Sequence, residues 1–396
     1  MNTVGRGVTE TFAVFLLPVE KALAASRSEI TLTYSIYMLV HGLSAPFAGQ
    51  SIDRLGARVT YSAGLAILGI GYALAAGATS LWQYYLAVGL LGGLGAACLG
   101  MVAASSLLSR WFDQRMGSVL SVPYAAVGAG VLLIPPLTEL LLQRQGWQAA
   151  HRVIGITILC LVPLIQLLPL ARMTAGSATW QATRRAAIET GTGTWTLRSA
   201  LRTRAFWGLF VAYLGTSVAA YSVLPQSVAY MVEQGFSPLT AATAFGITGA
   251  LSAAGIIAMG WISERIGKIP AVSASYVSTM LGTVSLMAVG WWPSLVLIYG
   301  FVVLFGLMQG VRGPVIVTMV AQLYRGGAVG SIFGAMSAAL GLGAALGSWL
   351  SGYLRDLTGT YTASFVLALA GSLLGLAMFW GVGSIRRERL DPGDRP

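Results

Sequence analysis

The sequence predicts an all-α polytopic membrane protein, with twelve transmembrane helices arranged as two six-helix bundles. Three observations predict it. The 396 residues are 56% hydrophobic and 9% charged, with a mean hydropathy of +0.75, whereas a soluble domain carries about 25% charged residues. The apolar residues gather into runs long enough to cross a bilayer, about 20 residues each. The basic residues collect in alternate loops between those runs, as topology signals do.

The runs lie near 3–23, 31–50, 59–78, 83–106, 118–142, 153–171, 206–231, 239–261, 269–290, 294–320, 329–350 and 362–383. They are too long for barrel strands and lack the period-two alternation of a barrel. Twelve spans put both chain ends on one side. That side then holds Arg54, Arg58, Arg110, Arg115, the cluster from Arg172 to Arg204, Arg265, Lys268, Arg325 and the tail arginines. The opposite side holds Lys21, Arg27, Arg144, Arg152 and Arg355. The bias predicts cytoplasmic termini, and the short loops fit a bacterial inner membrane. It also accounts for the formal charge of +11 without nucleic acid.

Several classes drop out. Cys98 and Cys160 lie in apolar runs and His41 and His151 are the sole histidines, so neither a disulfide framework nor a metal cluster is expected. The intramembrane glycines lack the Lys-Ser/Thr of a phosphate loop, so transport would draw on a gradient. No cofactor is expected, and no nucleophile–base–acid set suggests an enzyme. The first stretch lacks the basic region and cleavage site of a signal peptide.

The polar stretch 174–204 reads as a linker between an N-terminal bundle (1–173) and a C-terminal bundle (205–385), followed by a tail (386–396). Trp180 and Trp195 are candidates for headgroup anchors on it. The two halves also repeat. Gly49, Asp53, Arg54 and Gly56 follow the second span, and Gly260, Glu264, Arg265 and Gly267 recur at the same spacing after the eighth. A weaker match sets Arg115-Met116-Gly117-Ser118 against Ala328-Val329-Gly330-Ser331. The glycines suit a tight turn. The acid adds nothing to topology, so these charges are expected to act as a conformational latch.

The Gly-x-x-x-Asp-Arg-x-Gly loop and its second copy resemble the signature loop of the major facilitator superfamily. Phe15–Pro18, the run Ser26-Arg27-Ser28-Glu29-Ile30, Arg110-Trp111-Phe112, Gly146-Trp147 and Gly352–Tyr361 resemble its monocarboxylate-transporter-like branch, which includes oxalate:formate-antiporter-like proteins. The resemblance implies the major facilitator fold, alternating access and a small-molecule substrate, in a chain that works as a monomer in the lipid bilayer. Span eight, 239–261, carries no charge, although the resemblance implies an arginine there. A carboxylate would therefore need another cation.

Ionisable groups at membrane depth are functional candidates, because burying them costs at least a few kcal/mol. Arg312 is expected to head the substrate site. It sits in a long span beside Gly310, Gly313 and Pro314, where a kink would free backbone groups, and a guanidinium holds a carboxylate through two parallel hydrogen bonds. Gln309 precedes it by three residues. Arg6 is a second substrate cation, and Glu10, four residues on and so on the same face, is a proton-coupling acid. A helix starting at Met1 places Arg6 near the cytoplasmic surface. Tyr34, Tyr37 and His41 share a helix face, with His41 a second proton-coupling candidate. Tyr124, Tyr221 and Gln226 complete the predicted lining, and Pro225 is expected to break span seven. Glu139 reads as an interfacial charge. These features point to secondary transport of a small monocarboxylate-like anion, proton-coupled or by exchange. The rivals are export of hydrophobic drugs or metabolites, and a non-transporting membrane sensor.

Overall fold

The computed structural model describes residues 1–108, 110–111, 116–177, 195–324 and 329–386; at 53, 116–121, 171–172, 264, 321, 329–331 and 333 it describes the backbone alone. Among these residues the chain forms twelve helical spans in two six-helix bundles. Span α1 comprises Asn2–Glu10 and Phe12–Ala22, joined at Thr11. Spans α2 (27–55) and α3 (57–75) meet at Gly56. Span α4 is Leu81–Leu108, and α5 (116–145) meets α6 (147–166) at Gly146. In the second bundle α7 is Arg204–Glu233, α8 Pro238–Ile266 and α9 Lys268–Ala288. Span α10 comprises Leu295–Gln309 and Arg312–Leu323; α11 is Val329–Thr358 and α12 Thr362–Gly381.

The sequence repeat is a structural repeat. Gly56 has φ 85°, ψ 160° and Gly267 has φ 88°, ψ 158°. Both turns use a left-handed backbone that a side chain would strain, and each reverses the chain after the second span of its half. The faces of the molecule follow from this. The face bearing these two turns and the 174–204 segment is the linker face. The α1–α2, α7–α8 and α11–α12 turns lie on the opposite, distal face.

The halves meet along α2–α11 and α5–α8. At Gly42 a Cβ would stand 2.8 Å from the Cα of Gly341, and at Gly249 a Cβ would stand 2.3 Å from Val131. Small residues let the backbones touch where lipid offers no hydrophobic drive for helix association. Large apolar side chains face outward, among them Phe47, Leu167, Val296 and Leu357. In water this surface would be an aggregation liability; in a bilayer it is the solvated face.

Two span-level expectations are corrected. Pro225 does not break α7, which runs helical from Arg204 to Glu233. Trp195 is not a headgroup anchor: it is buried with its ring edge on Tyr324, centroids 5.1 Å apart. Trp180 lies outside the described residues. The interruptions fall elsewhere. In α4, Tyr85–Gly92 is wound as a π-helix and the helix stops at Gly100, ψ −178°. In α10 the break falls at Gly310–Val311, where the glycines and proline place it. Spans four and ten correspond in the repeat, and both are broken beside the central cavity.

Candidate functional site

A cavity of about 330 Å³ lies between the halves. Its lining residues come from α1, α2, α4, α5, α7, α8, α10 and α11, the first, second, fourth and fifth spans of each half. On α1 the lining is Asn2, Gly5, Arg6, Thr9 and Glu10, spaced as one helical face. Most of the remaining wall is apolar, including Met38, Leu99, Val131, Phe245, Ile256 and Leu340.

One charged group dominates it. Arg6 Nη2 lies 2.6 Å from Glu10 Oε1 and donates to Tyr221 Oη of the opposite half at 3.0 Å. The Arg6 side chain is 30% exposed and that of Glu10 only 4%, so the cation faces the cavity and the anion is held behind it. Tyr34 Oη donates to both Glu10 oxygens at 3.4 Å. Tyr37 Oη and Thr9 Oγ1 lie 2.5 Å apart, and the Tyr34 and Tyr37 rings stack at 6.2 Å. The stack fixes the acid from behind. A guanidinium has five donors; Nε and Nη1 of Arg6 meet no protein acceptor among the described residues. The geometry leaves one edge of Arg6 for an acceptor from the cavity.

Of the predicted lining residues, Arg6, Glu10, His41, Tyr124, Tyr221 and Gln309 border this cavity. Tyr34 and Tyr37 do not; they form the buried layer beneath Arg6 and Glu10. Arg312 is a correction. The face of α10 toward the cavity is Gly310, Gly313, Pro314 and Val317, with Gln309 at its edge. Arg312 projects the other way, inside the second half, with Cζ 4.5 Å from the Tyr276 ring centroid and Nη1 donating to Thr279 Oγ1 at 3.3 Å. A desolvated cation over an aromatic face gains about 2 kcal/mol, which holds the side chain there without a carboxylate. Its Nε has no hydrogen-bond partner among the described residues.

The described predicted latch residues lie on the linker face. Arg54 is exposed, and Arg265 is exposed with its guanidinium 4.6 Å over the Trp261 ring. Gly49 packs toward Val102. The side chains of Asp53 and Glu264, and the whole of Arg115, lie outside the described residues.

This arrangement of paired bundles around a shared cavity agrees with three comparisons. Residues 2–311 match the sequence profile of the Major Facilitator Superfamily. The chain belongs to the Major Facilitator Superfamily. It is 28% identical to "Monocarboxylate transporter 13" of Rattus norvegicus, over 97% of this chain and 88% of the relative. It is 25% identical to the "Uncharacterized MFS-type transporter YcxA" of Bacillus subtilis, over 93% of this chain and 88% of the relative. Among solved structures, the xylose transporter XylE from E. coli superposes with a TM-score of 0.73 at 13% identity, covering 96% of this chain and 97% of that one. A bacterial homologue of the lysosomal transporter Spinster superposes with a TM-score of 0.75 at 14% identity, covering 99% and 96%. The chain is thus an integral membrane transporter of the superfamily.

Sequence reasoning missed a second charged group of this superfamily member, at the distal face. Arg27, at the start of α2, is 4% exposed. Its Nε donates to Glu20 Oε2 at 2.7 Å, and Nη2 donates to Glu233 Oε1 at 2.7 Å. Nη1 donates to Gln226 Oε1 at 3.0 Å and to Tyr361 Oη at 2.5 Å. Tyr361 Oη and Arg355 Nη2 donate to Glu233 as well, at 2.9 and 3.2 Å. Gln226, predicted to line the substrate site, therefore belongs to this network. Asp356, at the end of α11, accepts from the backbone N–H groups of Arg27 and Ser28 at 2.9 and 2.7 Å. Ser26 and Glu29 close a capping box on the same turn. The network ties α1 and α2 to α7, α11 and the start of α12, so the distal ends of the two halves are joined. The signal in the sequence was the acid-rich neighbourhood of Arg27, with Glu20 at the end of α1 and Glu29 in the first turn of α2, and with Asp356 next to Arg355 at the end of α11. Counted as topology markers, these charges hide their pairing.

Proposed function

We propose that this chain is a secondary transporter of a small organic anion, monocarboxylate-like, working by alternating access with proton coupling. The observation that carries the reading is the Arg6–Glu10 pair, which presents its cation to a cavity shared by both halves. The similarity to monocarboxylate transporter 13 of Rattus norvegicus supports the substrate class.

The mechanism follows from charge balance. A solute carboxylate that takes Arg6 displaces the attraction holding Glu10. Glu10 is then a buried carboxylate without its cation, and breaking such a pair costs about 3–5 kcal/mol. Protonation of Glu10 removes that cost. One anion and one proton therefore enter together, and the site stays neutral. Tyr34 remains as a hydrogen-bond partner for either form of the acid. Tyr221 connects Arg6 to the second half, so occupancy of Arg6 bears on how the halves sit. His41, Tyr124 and Gln309 supply polar contacts along the wall. The Arg27 network closes the distal face, which is assigned to the outside of a bacterial cell with both termini inside; the bias of basic residues toward the linker-side loops supports this. Asp53, Arg54, Arg115, Glu264 and Arg265 are assigned to the reciprocal closure on the linker face.

The test is uptake of radiolabelled monocarboxylates into proteoliposomes under an imposed pH gradient. The reading expects uptake driven by inward proton flow and lost in Arg6→Met. Uptake indifferent to the gradient and to Arg6 would overturn it. The apolar wall favours a second reading, export of hydrophobic metabolites. Competition separates the two: lipophilic cations should displace a labelled solute only under the second.

A further inference from the structure

A second pocket, of about 220 Å³, lies apart from the central cavity near the distal ends of α1, α5, α7 and α8. It again spans both halves. Its walls are aliphatic, with Val14, Leu17, Leu142 and Val232 among them. Two opposite charges line it, Lys21 and Glu139. Glu139 is 3% exposed and accepts a hydrogen bond from Gln143 Nε2 at 2.9 Å. Lys21 is exposed. Neither has an ion-pair partner among the described residues. A buried carboxylate with no cation beside an apolar pocket is costly, and with the exposed Lys21 at the same pocket the two separate signs suit a ligand carrying both.

We propose that this pocket binds the headgroup of an aminophospholipid. The primary ammonium pairs with the buried Glu139 carboxylate, the phosphate pairs with Lys21, and the start of an acyl chain lies on the aliphatic wall. An ammonium with N–H donors is required, because the acceptor is a buried carboxylate that needs a hydrogen bond as well as a charge. A lipid seated here touches α1 and α5 of one half and α7 and α8 of the other, and so binds the state in which the distal ends are together.

The experiment measures lipid binding to the purified full chain by native mass spectrometry, with thermal stability in parallel. The probes are dioleoyl phosphatidylethanolamine, phosphatidylcholine and phosphatidylglycerol at equal mole fraction. Phosphatidylethanolamine should bind about tenfold more tightly than phosphatidylcholine, the worth of one charge-assisted hydrogen bond. Glu139→Gln, which is isosteric, should abolish that preference. Lys21→Gln, at an exposed position on the rim, should weaken all phospholipids alike. Equal binding of phosphatidylethanolamine and phosphatidylcholine would overturn the proposal, as would a preference that survives in Glu139→Gln. Dodecylamine is the control for a free amine; stabilisation by it equal to that by phosphatidylethanolamine would remove the phosphate from the site and also overturn the assignment.

Discussion

The two halves share a topology and a turn geometry but handle their buried arginines in opposite ways. In the first half Arg6 faces the central cavity, paired with Glu10 and 30% exposed. In the second half Arg312 follows the α10 break and turns inward onto Tyr276 and Thr279, 1% exposed and with no carboxylate partner among the described residues. One cation borders the central cavity and the other packs within its own bundle. Position near a helix break is therefore a poor guide to a binding arginine. What decides is whether the side chain has a better partner inside its own bundle.

The largest expected effect comes from the exposed cation. Arg6→Met should lower proteoliposome uptake by about 100-fold or more, since a bidentate charge-assisted contact is worth about 3 kcal/mol, while size-exclusion behaviour stays that of the wild type. Uptake near the wild-type level would break the contrast between the halves. Next, Glu10→Gln should keep solute binding within severalfold but uncouple it from protons. Accumulation against a gradient should vanish while counterflow exchange persists. Continued pH-driven accumulation would remove Glu10 from its role.

Arg27→Gln comes third. It strips the distal closure of its central donor, and cysteine labelling from the distal side into the cavity should rise by about tenfold, on the scale of 1.4 kcal/mol. Unchanged labelling would show that packing at α2–α11 alone holds the distal ends. The smallest effect is expected at Arg312. Replacing a buried cation with an apolar side chain of similar volume is often neutral or stabilising, so Arg312→Met should leave the KM for uptake within about twofold and the melting temperature unchanged or higher. A large rise in KM would restore Arg312 to the substrate site.

The fold was legible because lipid imposes a simple rule: long apolar runs, charges in alternate loops, and a repeat marked by Gly56 and Gly267. The cavity was legible in part. Arg6 and Glu10 stood out as charges at depth on one helix face, and Tyr221 as a polar group in an apolar span. Helical spacing also linked Tyr34 and Tyr37, but it could not tell which layer they occupy. Arg312 was misread because one helix's sequence does not reveal that Tyr276 waits on the next. Arg27 was missed for a related reason. Its partners, Glu20, Gln226, Glu233 and Tyr361, come from three parts of the chain and converge only when the halves dock.

The start of α2 is held twice. Ser26 and Glu29 cap it from within its own half, and Asp356 caps it from the other. In the proposed alternating-access cycle, parting of the halves at the distal face removes the borrowed carboxylate and leaves the resident cap. The helix is not asked to unwind its first turn in order to move, so it can travel as a rigid lever. In the proposed cycle the work of opening is then confined to the seam between the bundles, where a bound solute and a single proton would tip it.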